Sequence, residues 1–150
     1  MKPSAQIADF IKAWEGLRLD CYIDAAGKPT VGWGHLLEPH EPHPQNLTLE
    51  QACQYFDRDL EEHAQAVDDM VEVDIAQHEF DALVSFAFNL GPDALRRSTL
   101  LRKVNERRFD DAAHEFERWV YAGQKKLVGL VKRRKAECAV FTDADYRGRP

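Results

Sequence analysis

The segment AQHEFDALVSFAFNLG, residues 76–91, is apolar over most of the circumference of a helix and runs into Gly91-Pro92, a stop signal. A helix with no broad polar face cannot lie on a surface, so other elements must wrap it. This stretch therefore dictates a helical body built around a central helix. Three shorter helices are expected after it. One starts near Ser98 and carries Leu100, Leu101 and Val104; FDDAAHEFERWVYA begins at Phe109; LVGLVKRRKAECAVF begins at Leu127. The tail DADYRGRP, residues 143–150, reads as frayed.

Upstream, the pattern changes character. Ile7, Phe10, Ile11 and Trp14 fall at i, i+3, i+4 and i+7, which predicts an amphipathic helix from about residue 4 to 15, ended by Gly16. RLDCYIDAAGKPTVGWG follows, with β-formers on both sides of a DAAGKP turn, and reads as a hairpin or small meander. The stretch EPHEPHPQN (38–46) carries three prolines and can only be a loop. Thr48 and Gln51 in TLEQ form a capping box that opens a helix with Leu49, Ala52, Cys53, Phe56 and Leu60 on one side and an acidic, solvated face opposite. The expected fold class is α+β, mainly α. A β-bearing N-terminal lobe spans about 1–47, an interlobe helix about 48–66, a helical lobe about 67–142 and a tail 143–150, with a cleft where the lobes meet. At 150 residues, without internal repeats or a flexible linker, the chain fits one domain.

Charge narrows the function classes. The net charge of −6 divides into −10 over residues 1–75 and +4 over residues 76–150, which argues against a protein that lives on phosphate contacts. The run Lys125, Lys126, Lys132, Arg133, Arg134, Lys135 is the best nucleic-acid candidate, yet Glu137 lies four residues after Arg133, as in an ordinary surface pair, and no nucleic-acid partner is expected. His40 and His43 sit in the proline-rich loop, where solvation explains them, so neither a metal nor another cofactor is expected. Cys21, Cys53 and Cys138 are widely spaced and odd in number, which suits reduced thiols rather than a disulfide framework. Asp9 and Lys12 interrupt the first apolar stretch, and no later one has the length of a membrane span, so no signal peptide and no stable membrane association are expected.

The chemistry-bearing residues lie between Glu15 and Leu37. Glu15 falls on the margin of the first helix's buried stripe and at its C-terminal end, where desolvation and the helix dipole both favour a protonated carboxyl. A carboxylic acid that stays neutral near pH 7 suits a general acid; a solvated helix-end glutamate is the plainer alternative. Asp24 opens the turn, a position favoured for local hydrogen bonding alone, and should remain ionised. Thr30 opens the returning strand, where β-branched residues are common, and beside Asp24 its hydroxyl could hold a water. Gly32 and Gly34 flank Trp33, and such glycines mark places where another chain or a ligand approaches the backbone.

With Glu15, eight residues, Asp24, five residues, Thr30 and then VGWGHLL, this segment resembles the catalytic signature of the T-even and lambdoid phage lysozymes. ERWVYAGQKKLVGLVKRRKAECAVF (117–141) resembles the C-terminal block of the lambdoid members. The resemblance implies a lysozyme-like fold and a muramidase that cuts peptidoglycan between N-acetylmuramic acid and N-acetylglucosamine with inversion. In that scheme Glu15 is the general acid, and Asp24 and Thr30 place the water. It further implies a structural pair between His35 and Asp59, the latter on the solvated side of its helix. Gly32, Asn89 and Trp119 become sugar-contacting candidates, with a helix-end cap equally open for Asn89 and a core position for Trp119. Finally, it implies a monomeric endolysin that waits in the host cytoplasm until a holin opens the membrane. A secreted effector, or a wall-binding module without activity, remains the alternative.

Overall fold

A computed structural model describes residues 1–150. Helix α1 (Ala5–Glu15) leads into a three-stranded antiparallel sheet, β1 (Arg18–Ile23), β2 (Pro29–Gly32) and β3 (His35–Leu36). Then come α2 (Leu49–Met70), α3 (Gln77–Leu90), α4 (Pro92–Arg96), α5 (Thr99–Asn105), α6 (Phe109–Glu115) and a 3-10 turn at Phe116–Arg118. A two-stranded ribbon, β4 (Tyr121–Ala122) with β5 (Lys125–Lys126), precedes α7 (Val128–Asp143). The chain is α+β and mainly helical, and no helix is long and apolar enough to cross a membrane.

The caps explain where the main helices start. Ser4 accepts from the Ile7 N–H at 3.1 Å to open α1, and the Thr48–Gln51 capping box is formed in both directions. α2 continues to Met70, past the expected end near residue 66, because Ala64, Val67 and Met70 prolong its buried stripe. Leu49, expected on that stripe, is exposed in the helix's first turn. β1 and β2 pair with Tyr22 opposite Thr30 and Ile23 opposite Pro29. The sheet is seated on α2 by a small apolar cluster of Val31, Leu37, Leu47 and Ala52. Gly32 has φ +66°, and a Cβ there would meet Ala52 at 3.8 Å, so its closest constraint is this helix.

α3 is central, as its composition requires: Phe80 to Ala87 are buried without interruption, and α1, α2, α4 and α7 pack around it. Three readings of the flanking sequence change. α4 was not anticipated; it is one short turn begun by Pro92 at its first position. The segment from Phe109 does not stay helical to Ala122, because Tyr121 and Ala122 pair with Lys125 and Lys126 across a turn at Gly123, φ +62°. The tail is not frayed. Tyr146 Oη donates to Asp81 Oδ2 at 2.7 Å, and the Trp14 indole donates to the Gly148 carbonyl at 3.2 Å. Gly148 lies so close to α7 that a Cβ would fall 2.5 Å from that of Ala136.

Asp81, fully buried on α3, gathers these ends. It accepts from the Ser4 backbone at 3.1 Å, the Ser4 hydroxyl at 2.6 Å, Gln77 at 2.9 Å and Tyr146. Burial raises the Tyr146 hydroxyl well above its ordinary range, and Asp81 raises it further. Asp81→Ala strands the Ser4 and Tyr146 hydroxyls and should cost about 3 kcal/mol in urea denaturation. A loss below about 1 kcal/mol would mean that other contacts hold the two termini.

Candidate active site

A groove of about 770 Å³ runs between the sheet and the helices. Asp24, Gly34 and strand β3 form part of one bank; Asp59 and His63 of α2 and the end of α3, including Asn89, form part of the other. Five carboxylates line it: Asp24, Glu38, Glu41, Asp59 and Glu62.

Glu15 ends α1 with its side chain 17% exposed. The Gly34 turn backs directly onto it: a Cβ at Gly34, where φ is +75°, would lie 2.8 Å from Glu15 Oε2. No L side chain fits there without displacing the carboxylate, which accounts for this glycine. Asp24 is half-buried, and its Oδ1 accepts from the backbone N–H groups of Ala26 at 2.9 Å and Lys28 at 2.8 Å. Oδ2 has no protein donor. Thr30 is buried, and its hydroxyl donates to the Lys28 carbonyl at 2.9 Å. Its proton is thereby engaged, leaving the oxygen as an acceptor. Tyr22, opposite Thr30 in the sheet, responds to both acids. Burial raises its hydroxyl first, the negative charges of Glu15 and then Asp24 add to this, and Arg18 opposes them.

Beyond the helix dipole and burial, Glu15 meets a cation. Arg133 of α7 donates from Nη1 to Glu15 Oε1 at 2.7 Å and from Nε to Glu137 Oε1 at 3.2 Å. Its neighbour Arg134, fully buried, donates from Nη2 to Asn89 Oδ1 at 2.6 Å and to Glu137 Oε1 at 3.2 Å. Arg134 Nε and Glu137 Oε2 form an ion pair at 2.8 Å, and the Ser85 hydroxyl donates to Glu137 at 2.8 Å. Burial pushes the Arg134 guanidinium down from its ordinary value, Glu137 pulls it back, Arg133 pushes it down again, and Glu15 opposes that. The Arg133–Glu137 spacing looked like a surface pair; both residues are buried. Helical phase carried the signal, since positions 133, 136, 137 and 140 share one face with Ala136 and Val140. The basic run consequently presents four exposed cations rather than six.

Asn89 lines the groove. Trp119 does not: it packs edge-on against Phe86 with ring centroids 5.3 Å apart, in the core. Gly32 is buried and also lies outside the groove lining. His35 is buried, stacked on Tyr55 at 4.2 Å, and held through Nδ1 by Asp59 at 2.8 Å and through Nε2 by Glu41 at 3.3 Å. Asp59 thus turns from the solvated face toward the sheet, 14% exposed.

Of the three expected catalytic residues only Asp24 lines the groove; Glu15 lies behind its Gly34 wall and Thr30 is buried in β2. A mainly helical chain with a small antiparallel sheet, a groove between them and a helix-end acid against the turn that walls it has the architecture of a lysozyme. Residues 12–137 match the Phage lysozyme family model, and the chain belongs to that family. It is 41% identical over 142 residues to an endolysin of Bacillus phage B103, covering 93% of this chain and 53% of that protein. The chain thus spans about half the length of the curated Bacillus phage relatives it matches. Among solved structures, an endolysin from Escherichia coli O157:H7 phage FAHEc1 superposes with a TM-score of 0.87 at 36% identity, covering 97% of this chain and 96% of that one. The muramidase domain of SpmX from Asticaccaulis excentricus gives 0.84 at 33%, covering 94% and 97%. The fold is lysozyme-like.

The His35 cluster makes stability depend on pH with a definite sign. Burial alone pushes the imidazole down, but Asp59 and Glu41 together outweigh it and hold it above its ordinary value. A raised histidine contributes in full below its unfolded value, about 6.5, and loses that contribution as pH rises through the folded value. Glu41 is held below the usual carboxylate range, first by the Glu38 N–H and then by His35, so its share is lost only in acid. The stability gap between the protein and Asp59→Asn should be widest near about pH 5.5 and narrow toward about pH 9. A gap that grows with pH would contradict the assignment.

Proposed function

We propose that this chain is the catalytic domain of an endolysin, a single domain with lobes at about 1–47 and 67–142 joined by α2. It hydrolyses the β-1,4 bond between N-acetylmuramic acid and N-acetylglucosamine in peptidoglycan. The observation that carries this reading is the way the two acids are held. Each has one oxygen anchored by protein donors, Arg133 for Glu15 and two backbone N–H groups for Asp24, and each has its other oxygen unclaimed.

Glu15 donates a proton from Oε2 to the glycosidic oxygen while Oε1 stays on Arg133. The bond breaks through an oxocarbenium-like state, and a water attacks from the opposite face of the sugar. That water donates one hydrogen bond to Asp24 Oδ2 and one to the Thr30 oxygen, whose own proton is engaged by Lys28. The water's lone pair is then directed at the anomeric carbon. As its oxygen bonds that carbon, one proton passes to Asp24 and the other stays on the new hydroxyl. Inversion needs the carboxyl groups about 6.5–9.5 Å apart, with the water between them. No metal or cofactor takes part. Asn89 contacts the sugar; Gly32 and Trp119 take no part in binding. In the cell the domain acts as a monomer on the wall, held in the host cytoplasm until a holin opens the inner membrane.

Glu15→Gln should lower the release of reducing ends from purified sacculi by about 10³-fold or more with an unchanged melting curve, and Asp24→Asn by about 10²-fold or more. Anomeric analysis of the first product should show inversion. Full activity in Glu15→Gln would remove that residue from the mechanism; sacculi bound but uncut by the unaltered protein would favour a wall-binding module.

A further inference from the structure

The cluster behind the groove is organised around a residue that faces no substrate. Glu137 is fully buried on α7 and is the shared counter-ion of two guanidiniums. One arm runs from Glu137 through Arg133 to Glu15; the other runs through Arg134 to Asn89. Ser85 of α3 fixes the carboxylate from a third direction. We infer that Glu137 is a positioning residue for the reaction, setting through Arg133 how firmly the proton donor is held and through Arg134 which way the groove amide faces. This rests on the reading of Glu15 as general acid.

Glu15, Glu137, Arg133 and Arg134 form a neutral set of four when Glu15 is ionised, and carry one excess positive charge when it holds the proton it is to donate. The neighbouring charges are Lys12 on α1, whose ammonium lies over Trp33, and Arg18 and Asp24 beside Tyr22 on the sheet side; α3 brings the neutral Ser85 and Asn89 into direct contact, with Asp81 one turn before Ser85 and His78 on the Val140 and Phe141 carbonyls of α7. Arg133 is divided between two carboxylates, so whatever Glu137 takes is withheld from Glu15. Without Glu137's charge, both guanidiniums would face Glu15 alone, and the proton would leave it more readily.

A guanidinium only donates, so its contact with Asn89 fixes the amide with Oδ1 inward and Nδ2 free. The groove therefore receives an N–H donor at this point. Among five lining carboxylates, a donor suits a neutral carbonyl oxygen, such as that of an N-acetyl group, better than it suits an anion.

Glu137→Gln keeps the shape and one acceptor oxygen while removing the charge. On purified sacculi we expect kcat to fall about tenfold, KM to rise several-fold, and the alkaline limb of the kcat–pH profile to move to lower pH by about one unit. Arg133→Gln, which removes the cation from Glu15, should move that limb the opposite way. A residue that only packs would alter the melting temperature and leave the limb in place. If Glu137→Gln does not fold, the double variant Arg134→Met with Glu137→Leu replaces the inner pair by apolar groups and leaves Arg133 to Glu15. With only Arg133 left to face Glu15, it should show a downward limb shift smaller than that of Glu137→Gln, together with the raised KM. An unmoved limb in the folded variant overturns the inference. Glu15→Gln measured alongside separates the two failures: activity retained there sinks the general-acid reading, whereas loss there with an unmoved limb in the Glu137 variant sinks only this one.

Discussion

Everything in this fold is referred to a helix that must be buried on all sides and yet carries a polar seam. Asp81, Ser85 and Asn89 are spaced i, i+4 and i+8 along α3, so they form one stripe down an otherwise apolar cylinder. Each meets a partner from a different place: Ser4 and Tyr146 at the top, Glu137 in the middle, Arg134 at the groove. Buried polar groups without partners cost about 1–3 kcal/mol each, so the stripe admits only packings in which α1, α7 and the tail supply those partners. The apolar surface drives collapse; the seam selects which collapse.

Such a seam is a weak source of net stability. Two guanidiniums and a carboxylate taken out of water carry a desolvation penalty that their mutual attraction offsets only with good geometry and further hydrogen bonds. Apolar residues of the same volume could be as stable. What the charged version supplies is position: Arg133 reaches one helix and Arg134 another from adjacent places on α7, so α1 and α3 are indexed to one carboxylate. That is a rationale for ionic residues at this depth which a hydrophobic replacement would not meet.

The sequence disclosed what depends on local spacing. Apolar periodicity marked α1, α2, α3 and α7, and turn chemistry marked the β1–β2 turn and the proline-rich loop. The expected constellation from Glu15 to Thr30 was legible because its members are close in the chain. Long-range pairing was not. Arg133 meets Glu15 across 118 residues and Tyr146 meets Asp81 across 65, and neither residue type announces burial. Trp119 shows the same limit from the other side: an aromatic beside polar residues suits a sugar or a core equally, and only the packing against Phe86 decides. Asp59, placed by the wheel on the solvated face, was recruited by a histidine from another element.

One structural rule unites the two proposed catalytic carboxyls. A carboxylate free on both oxygens rotates and is solvated; one engaged on both has nothing left with which to react. Glu15 is fixed by a guanidinium on one oxygen and pressed by the Gly34 turn beside the other. Asp24 is fixed by the two N–H groups of its own turn, which also hold the turn closed. Both side chains are thereby limited in rotation before any substrate arrives, as catalysis by preorganised groups requires. The cost falls on residues outside the proposed reacting pair: a glycine with positive φ at position 34, a buried cation at 133, and behind them the acid at 137 that is the cation's second partner.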